Sequence, residues 1–240
     1  AIGDPTGKAR ARPVIPTRAI KKNIGSIEAQ IRKILLVGHR VLEIRRSSEW
    51  YGKMKAGDLI RIFSMVTHAR LIERDMFRKR IAEQGEIYLH ELIYPLLQGY
   101  DSVVLRSDCT VIGSDQLFNE HMGRFFQEKF HQRPQVIIAL KILPGLDGGE
   151  KMSKSLGSYI GLRDKPRDKF GKAMRVRDEF IASYLEHYTD LPLDAVAGTK
   201  EKLARGGNPM EAKLEFARAL VSRYHGVAAG EKEKEYFLKI

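Results

Sequence analysis

The sequence predicts an α/β fold, a parallel sheet with helices, followed by an α-helical domain. Two observations carry this. From Cys109 onward the chain reads strand, helix, strand, with loops at the strand carboxyl ends, which is the pattern of a parallel βαβ unit. From Lys165 onward the apolar spacing is helical only, so the sequence places an α/β unit over residues 1–164 and a helical unit over 165–240.

Taken in order, Ala1 and Ile2 run into a Gly-Asp-Pro turn and read as the tail of a strand, so the chain is expected to be part of a longer protein. Ile20, Ile24, Ile27, Ile31 and Leu35 recur every three or four residues and predict a helix over Thr17–Leu36. Val41–Ile44 reads as a short strand. Leu59, Ile62 and Met65 predict a helical region over about Ala56–Arg80, whose basic end "RDMFRKR" reads as a solvated face. "CTVIG" is a strand that runs into "SDQ", and "LFNEHMGRFFQEKF" is a helix. "PQVIIALKIL" reads as a buried strand, and a glycine-rich loop follows. The helical unit holds "DKFGKAM", "DEFIASYLEHYT" and, after the turn "RGGNP", "MEAKLEFARALVSRYHG" with its glycine stop.

Composition narrows the function. With 43% hydrophobic and 30% charged residues in 240, the chain matches an ordinary globular protein. Its apolar run "VIIAL" is far short of a membrane span. A single cysteine, Cys109, leaves no internal disulfide or cysteine-built zinc site and fits a reducing compartment. A net charge of +12 points to polyanions, nucleic acid first.

Four stretches carry chemistry. In "ELIYPLLQGYDSVVL", helical geometry puts Tyr94, Gln98 and Asp101 at i, i+4 and i+7 on one face, with Leu92, Leu96 and Val103 on the others. A hydroxyl, an amide and a carboxylate in one stripe need either solvent or a polar ligand. In "VIGSDQLFN", Gly113 and Ser114 end a strand and Asp115 and Gln116 start a helix. They suit N-caps, and they equally suit an acceptor for ribose hydroxyls and an amide for a polar substrate. "GDPTGK", with Lys8, Arg10 and Arg12, has turn residues but not the spacing of a P-loop. In "GEKMSKSLGSY", Gly148, Gly149 and Gly157 flank Lys151 and Lys154, with Ser153 and Ser155 adding hydroxyls. Two lysines three residues apart repel unless solvated or bridged by an anion, and such a loop can place both against a leaving pyrophosphate.

Together, "GDPTGK", "SSEWYG", "YPLLQGYD", "GSDQ", "KMSKSLGSYIGL" and "NPMEAK" through "YHG" resemble the bacterial-type tyrosyl-tRNA synthetase family of class I aminoacyl-tRNA synthetases, over essentially the whole chain. The resemblance implies a Rossmann-like catalytic domain, incomplete at its N-terminus, with its connective region, and then a helical tRNA-contacting domain. It implies that Asp101 accepts from the phenolic hydroxyl of tyrosine. Tyr94, Gln98 and Asp4 would surround the ammonium, and Gln116 would hold the amino acid's polar end. Gly113 and Asp115 would contact ATP, the latter through its ribose. Lys151, Lys154 and Ser155, with Lys8 and Arg12, would stabilise the departing pyrophosphate. Implied partners are tyrosine, ATP with Mg2+ as substrate, tRNA(Tyr) and a second copy of the chain. No metal site, tightly bound cofactor or membrane is expected, and the compartment is the cytoplasm or the mitochondrial matrix.

The departures are local. The family's H-x-G-H segment belongs upstream of Ala1, and its C-terminal RNA-binding module beyond Ile240. "LVGH" at Leu36–His39 has Leu for the first His and lies after "GDPTGK", so it is read as chance. Ile112 stands where the family has a second glycine. These departures motivate an alternative, a non-catalytic RNA-binding paralogue of the same fold. The sister enzyme for tryptophan is disfavoured by the Tyr94, Gln98, Asp101 set.

Overall fold

A computed structural model describes residues 15–35, 41–149, 152 and 157–240. They form two compact units that part between Lys141 and Ile142. The sequence placed its boundary near Lys165. The compact division comes earlier because Leu146 and Ile160 pack into the helical cluster.

The first unit opens with α1 (Thr17–Ile31), shorter than expected and with none of its residues buried. Val41–Ile44 is not a strand: the segment is irregular, with Val41 exposed, and no neighbouring strand among the described residues gives it a ladder. The region from Ala56 to Arg80 is broken rather than continuous. After α2 (Ser48–Tyr51) come α3 (Ala56–Phe63), α4 (His68–Ile72) and α5 (Asp75–Ala82). The break has a local cause, since Thr67 accepts the backbone N–H of Arg70 and so starts a new helix.

The basic run in α5 is only partly a solvated face. Arg78 and Lys79 are exposed, but Arg80 is buried and paired with Glu91 through bonds of 3.0 and 3.2 Å. Glu91 also accepts the N–H of Tyr88 at 2.9 Å, the reciprocal half of a capping box that starts α6 (Leu89–Leu105). At the other end of α6, Arg106 takes a left-handed φ of 50°. Its N–H bonds Val103 O and that of Ser107 bonds Ser102 O, so an arginine occupies the usual glycine position of a Schellman stop.

The α/β part keeps the strand, helix, strand order the sequence reads: β1 (Cys109–Gly113), one 3-10 turn over Ser114–Gln116 that takes in Ser114, α7 (Leu117–Lys129) and β2 (Val136–Leu140), shorter than the expected "PQVIIALKIL". The strands are parallel, with Cys109 opposite Val136 and Gly113 opposite Leu140. α7 packs on both strands and on α6. β2 is not buried, however. Val111, Val136, Ile138 and Leu140 share one face of this two-stranded sheet and are exposed, whereas Thr110, Ile112 and Ile137 on the other face are half-buried.

The core of the unit lies between α6 and α7. Leu96, Val103, Met122 and Phe126 join Ile62 and Leu71 in one cluster. Burying a side chain such as Phe126 stabilises by about 1.5–3 kcal/mol. The two helices can approach because the contact positions are small. A Cβ on Gly99 would stand 2.9 Å from the backbone of Met122, and one on Gly123 would stand 2.6 Å from Ser102 Oγ.

The second unit is helical: α8 (Pro166–Met174), a 3-10 turn over Asp178–Phe180, α9 (Ile181–Tyr188), α10 (Leu193–Ala204), α11 (Pro209–His225) and α12 (Val227–Leu238). α11 packs on α8, α9 and α12, and Phe170, Ile181, Tyr184, Phe216 and Leu220 form its core. α11 begins as its sequence dictates, with Pro209 at the first turn and Asn208 accepting the N–H of Met210. It ends at Gly226, φ +89°. No helix among the described residues is long and apolar enough to cross a membrane.

Candidate active site

In the first unit the candidate site is built on α6 and on the turn after β1. Tyr94, Gln98 and Asp101 all lie on α6, as their spacing requires, despite Pro95 inside the helix. Tyr94 is buried, with the Arg74 guanidinium 5.5 Å from its ring centroid. Gln98 donates from Nε2 to Glu120 Oε1 at 3.0 Å. Asp101 accepts from Trp50 Nε1 at 2.9 Å on one oxygen and from Ser47 Oγ at 3.0 Å on the other. Burial pushes the Asp101 carboxyl above its ordinary range, and the bonds from Trp50 and Ser47 offset only part of this. Tyr51, whose hydroxyl donates to Leu97 O at 2.6 Å, is also raised, first by burial and then by the Asp101 charge. A carboxylate has about four acceptor positions, so with Trp50, Ser47 and the neighbouring Tyr51 counted Asp101 keeps one for a further donor.

Gly113 closes β1, and Asp115 and Gln116 follow on the 3-10 turn, where parallel strands present their carboxyl ends. Gln116 Oε1 accepts from Asn119 Nδ2 at 2.9 Å. Behind them Glu120, Gln135, Gln127 and Ser107 make a buried polar network between α6 and α7. Sequence reasoning missed Ser47, Trp50, Glu120 and Gln135. "SSEWYG" held the first two, but the sequence carries no sign that they reach 50 residues along to Asp101.

In the second unit, the segments on either side of the two-lysine motif are anchored. Tyr184 donates to Pro144 O at 2.6 Å, and Leu146 N–H donates to Ser158 O at 3.2 Å. Gly148 takes φ +80° beside Arg177, whose guanidinium nitrogen would be 2.7 Å from an added Cβ. After the motif, Asp164 accepts from Gly161 N–H at 2.7 Å and from Lys172 Nζ at 2.8 Å, and buried Lys169 donates to Gly161 O at 2.6 Å. Burial pushes the Asp164 carboxyl up, but Lys172 and the Gly161 N–H outweigh it and hold it below its ordinary range. Lys151, Lys154 and Ser155 lie outside the described residues, as do Asp4, Lys8, Arg12 and the "LVGH" stretch. Among the described residues no group of three His, Cys, Asp or Glu side chains could hold a metal ion.

The comparison with known families decides the class: the family model of the class I tRNA synthetases (W and Y) matches residues 1–240. The chain belongs to this family. It is 43% identical over 239 residues to a tyrosine-tRNA ligase of Geobacter metallireducens, covering 99% of this chain and 59% of that protein. To tyrosine-tRNA ligase 2 of Photorhabdus laumondii it is 39% identical over 239 residues, covering 100% of this chain and 59% of that protein. The chain thus spans about three fifths of the length of these curated relatives. Its fold is that of a C-terminally truncated mitochondrial tyrosyl-tRNA synthetase from Aspergillus nidulans, at TM-score 0.73 and 18% identity over 99% of this chain and 73% of that one. This class I membership and the small parallel sheet with its helices agree with the Rossmann-like reading.

Proposed function

We propose that the protein carrying this chain is a tyrosine-tRNA ligase. The observation that carries the proposal is the α6 stripe, a hydroxyl, an amide and a carboxylate one turn apart, with Gln98 and Asp101 each held by a side chain of another helix. That stripe is complementary to an amino acid with an ammonium at one end and a phenol at the other. In this reading Asp101 accepts a hydrogen bond from the phenolic hydroxyl, Tyr94, Gln98 and Asp4 surround the ammonium, and Gln116 holds the polar end. Gly113 and Asp115 contact ATP. The tyrosine carboxylate attacks the α-phosphorus of ATP, a P–O bond forms and pyrophosphate leaves. The terminal hydroxyl of tRNA(Tyr) then attacks the tyrosyl carbonyl and AMP leaves. No protein nucleophile is needed, so catalysis is positioning plus charge stabilisation. Lys151, Lys154, Ser155, Lys8 and Arg12 meet the charge on the leaving pyrophosphate, and Mg2+ arrives with ATP.

The domain partition of 1–164 for catalysis and 165–240 for tRNA contact belongs to this proposal. So do the cytoplasm or mitochondrial matrix as its place and a homodimer through the region before Tyr94. The full-length protein should exchange pyrophosphate into ATP when given tyrosine. Lys151→Ala and Lys154→Ala should lower kcat by at least tenfold, as expected for charge-stabilising groups; unchanged rates would remove their assigned role. Ile112, half-buried on β1 next to Gly113, favours a second reading, a non-catalytic RNA-binding paralogue. RNA binding without exchange would select it.

A further inference from the structure

We infer that Glu120 is a positioning residue for Gln98, setting its amide so that the carbonyl oxygen, not the NH2, faces the bound amino acid's ammonium. The inference rests on the reading of Gln98 as a tyrosine contact. Glu120 lies on α7 and is 7% exposed. One carboxylate oxygen accepts Gln98 Nε2 at 3.0 Å and the other accepts Gln135 Nε2 at 2.8 Å. Gln135 is itself clamped, because Ser107 Oγ donates to its Oε1 and its own N–H donates to Gln127 Oε1 at 2.7 Å. Turning the carboxylate away would leave the buried Gln135 amide unpaired and the half-buried Gln98 amide without its partner.

A carboxylate accepts only. It therefore selects one of the two amide orientations of Gln98, the one with NH2 toward α7 and the carbonyl oxygen on the opposite side. An ammonium donates only, so that orientation suits it and the flipped one would set donor against donor. An apolar residue at position 120 would leave the amide free to take either. Glu120 thus acts on substrate binding through Gln98 and touches no reacting atom.

The test uses the full-length protein in tyrosine-dependent ATP–pyrophosphate exchange, with E120L, E120Q, Q98A and the double variants E120L/Q98A and E120Q/Q98A. With the amide free to take either orientation, the KM for tyrosine should rise by about twofold or more in E120L, with the KM for ATP unchanged. E120Q keeps one acceptor oxygen and should fall between wild type and E120L. In the Q98A background, E120L should add nothing. A tyrosine KM in E120L equal to wild type, an equal rise for tyrosine and ATP, or an additive double variant overturns the inference. If E120L does not fold, E120Q decides: its tyrosine-specific effect must vanish in the Q98A background. Q98A with a wild-type tyrosine KM would instead refute the reading of Gln98 itself, whereas a raised KM in Q98A alone would refute only the role of Glu120.

Discussion

Glu91→Leu is expected to cost the protein about 3–5 kcal/mol, and the added change Arg80→Met to recover most of it. The Glu91 side chain is 1% exposed and that of Arg80 10%, so neither charge can turn to water when its partner is removed. Leucine at 91 deletes both bonds to the guanidinium and the acceptor for the Tyr88 N–H. The Arg80 guanidinium then keeps the carbonyl of Glu86 as a partner. In the double variant no charge is stranded. What remains is the lost acceptor at the start of α6, worth about 1 kcal/mol, so adding Arg80→Met should recover about 2–4 kcal/mol of the single-variant loss. Urea unfolding of full-length protein, followed by circular dichroism, measures both. Burial raises the Glu91 carboxyl, but Arg80 and the Tyr88 N–H outweigh it and hold it below its usual range. Its contribution is therefore present above the unfolded value of about 4.3 and lost as pH falls through the lower folded value. The gap between wild type and Glu91→Leu should be flat near neutrality and narrow below about pH 4. A double variant as unstable as Glu91→Leu, or a single cost under about 1 kcal/mol, would refute the pairing argument.

Other outcomes follow from single positions. Gly123→Ala should destabilise by about 1–3 kcal/mol in the same melts, because its Cβ meets Ser102 Oγ at 2.6 Å and Gln135 Nε2 at 2.9 Å. Arg106→Gly should stabilise by about 0.5–1 kcal/mol, since glycine takes the left-handed stop of α6 without steric cost. Asp101→Ala in the full-length protein should erode discrimination between tyrosine and phenylalanine by roughly 10-fold or more, read as a ratio of kcat/KM values. An unchanged ratio would remove its role at the phenol.

What the sequence revealed is what depends on near neighbours. β1 has the bounds Cys109–Gly113 that its pattern suggests, Asn208 and Pro209 start α11 as local capping rules require, and the α6 stripe follows from helical spacing alone. What it concealed depends on partners far along the chain. Val41–Ile44 has strand-like residues but nothing to pair with among those described, and β2 looks like a buried strand while one face of its sheet is open. Arg80 within a basic run gives no sign of Glu91. Glu120, a glutamate on an amphipathic helix, gives no sign of Gln98 and Gln135. The family motifs located the candidate site, but only the packing of α6 on α7 reveals what holds Gln98 in place.

The measurement that tests the central claim most directly is amino-acid-dependent ATP–pyrophosphate exchange by the full-length protein. The account predicts exchange with tyrosine and little with phenylalanine or tryptophan. Exchange with tryptophan alone, or none with any amino acid, would contradict it.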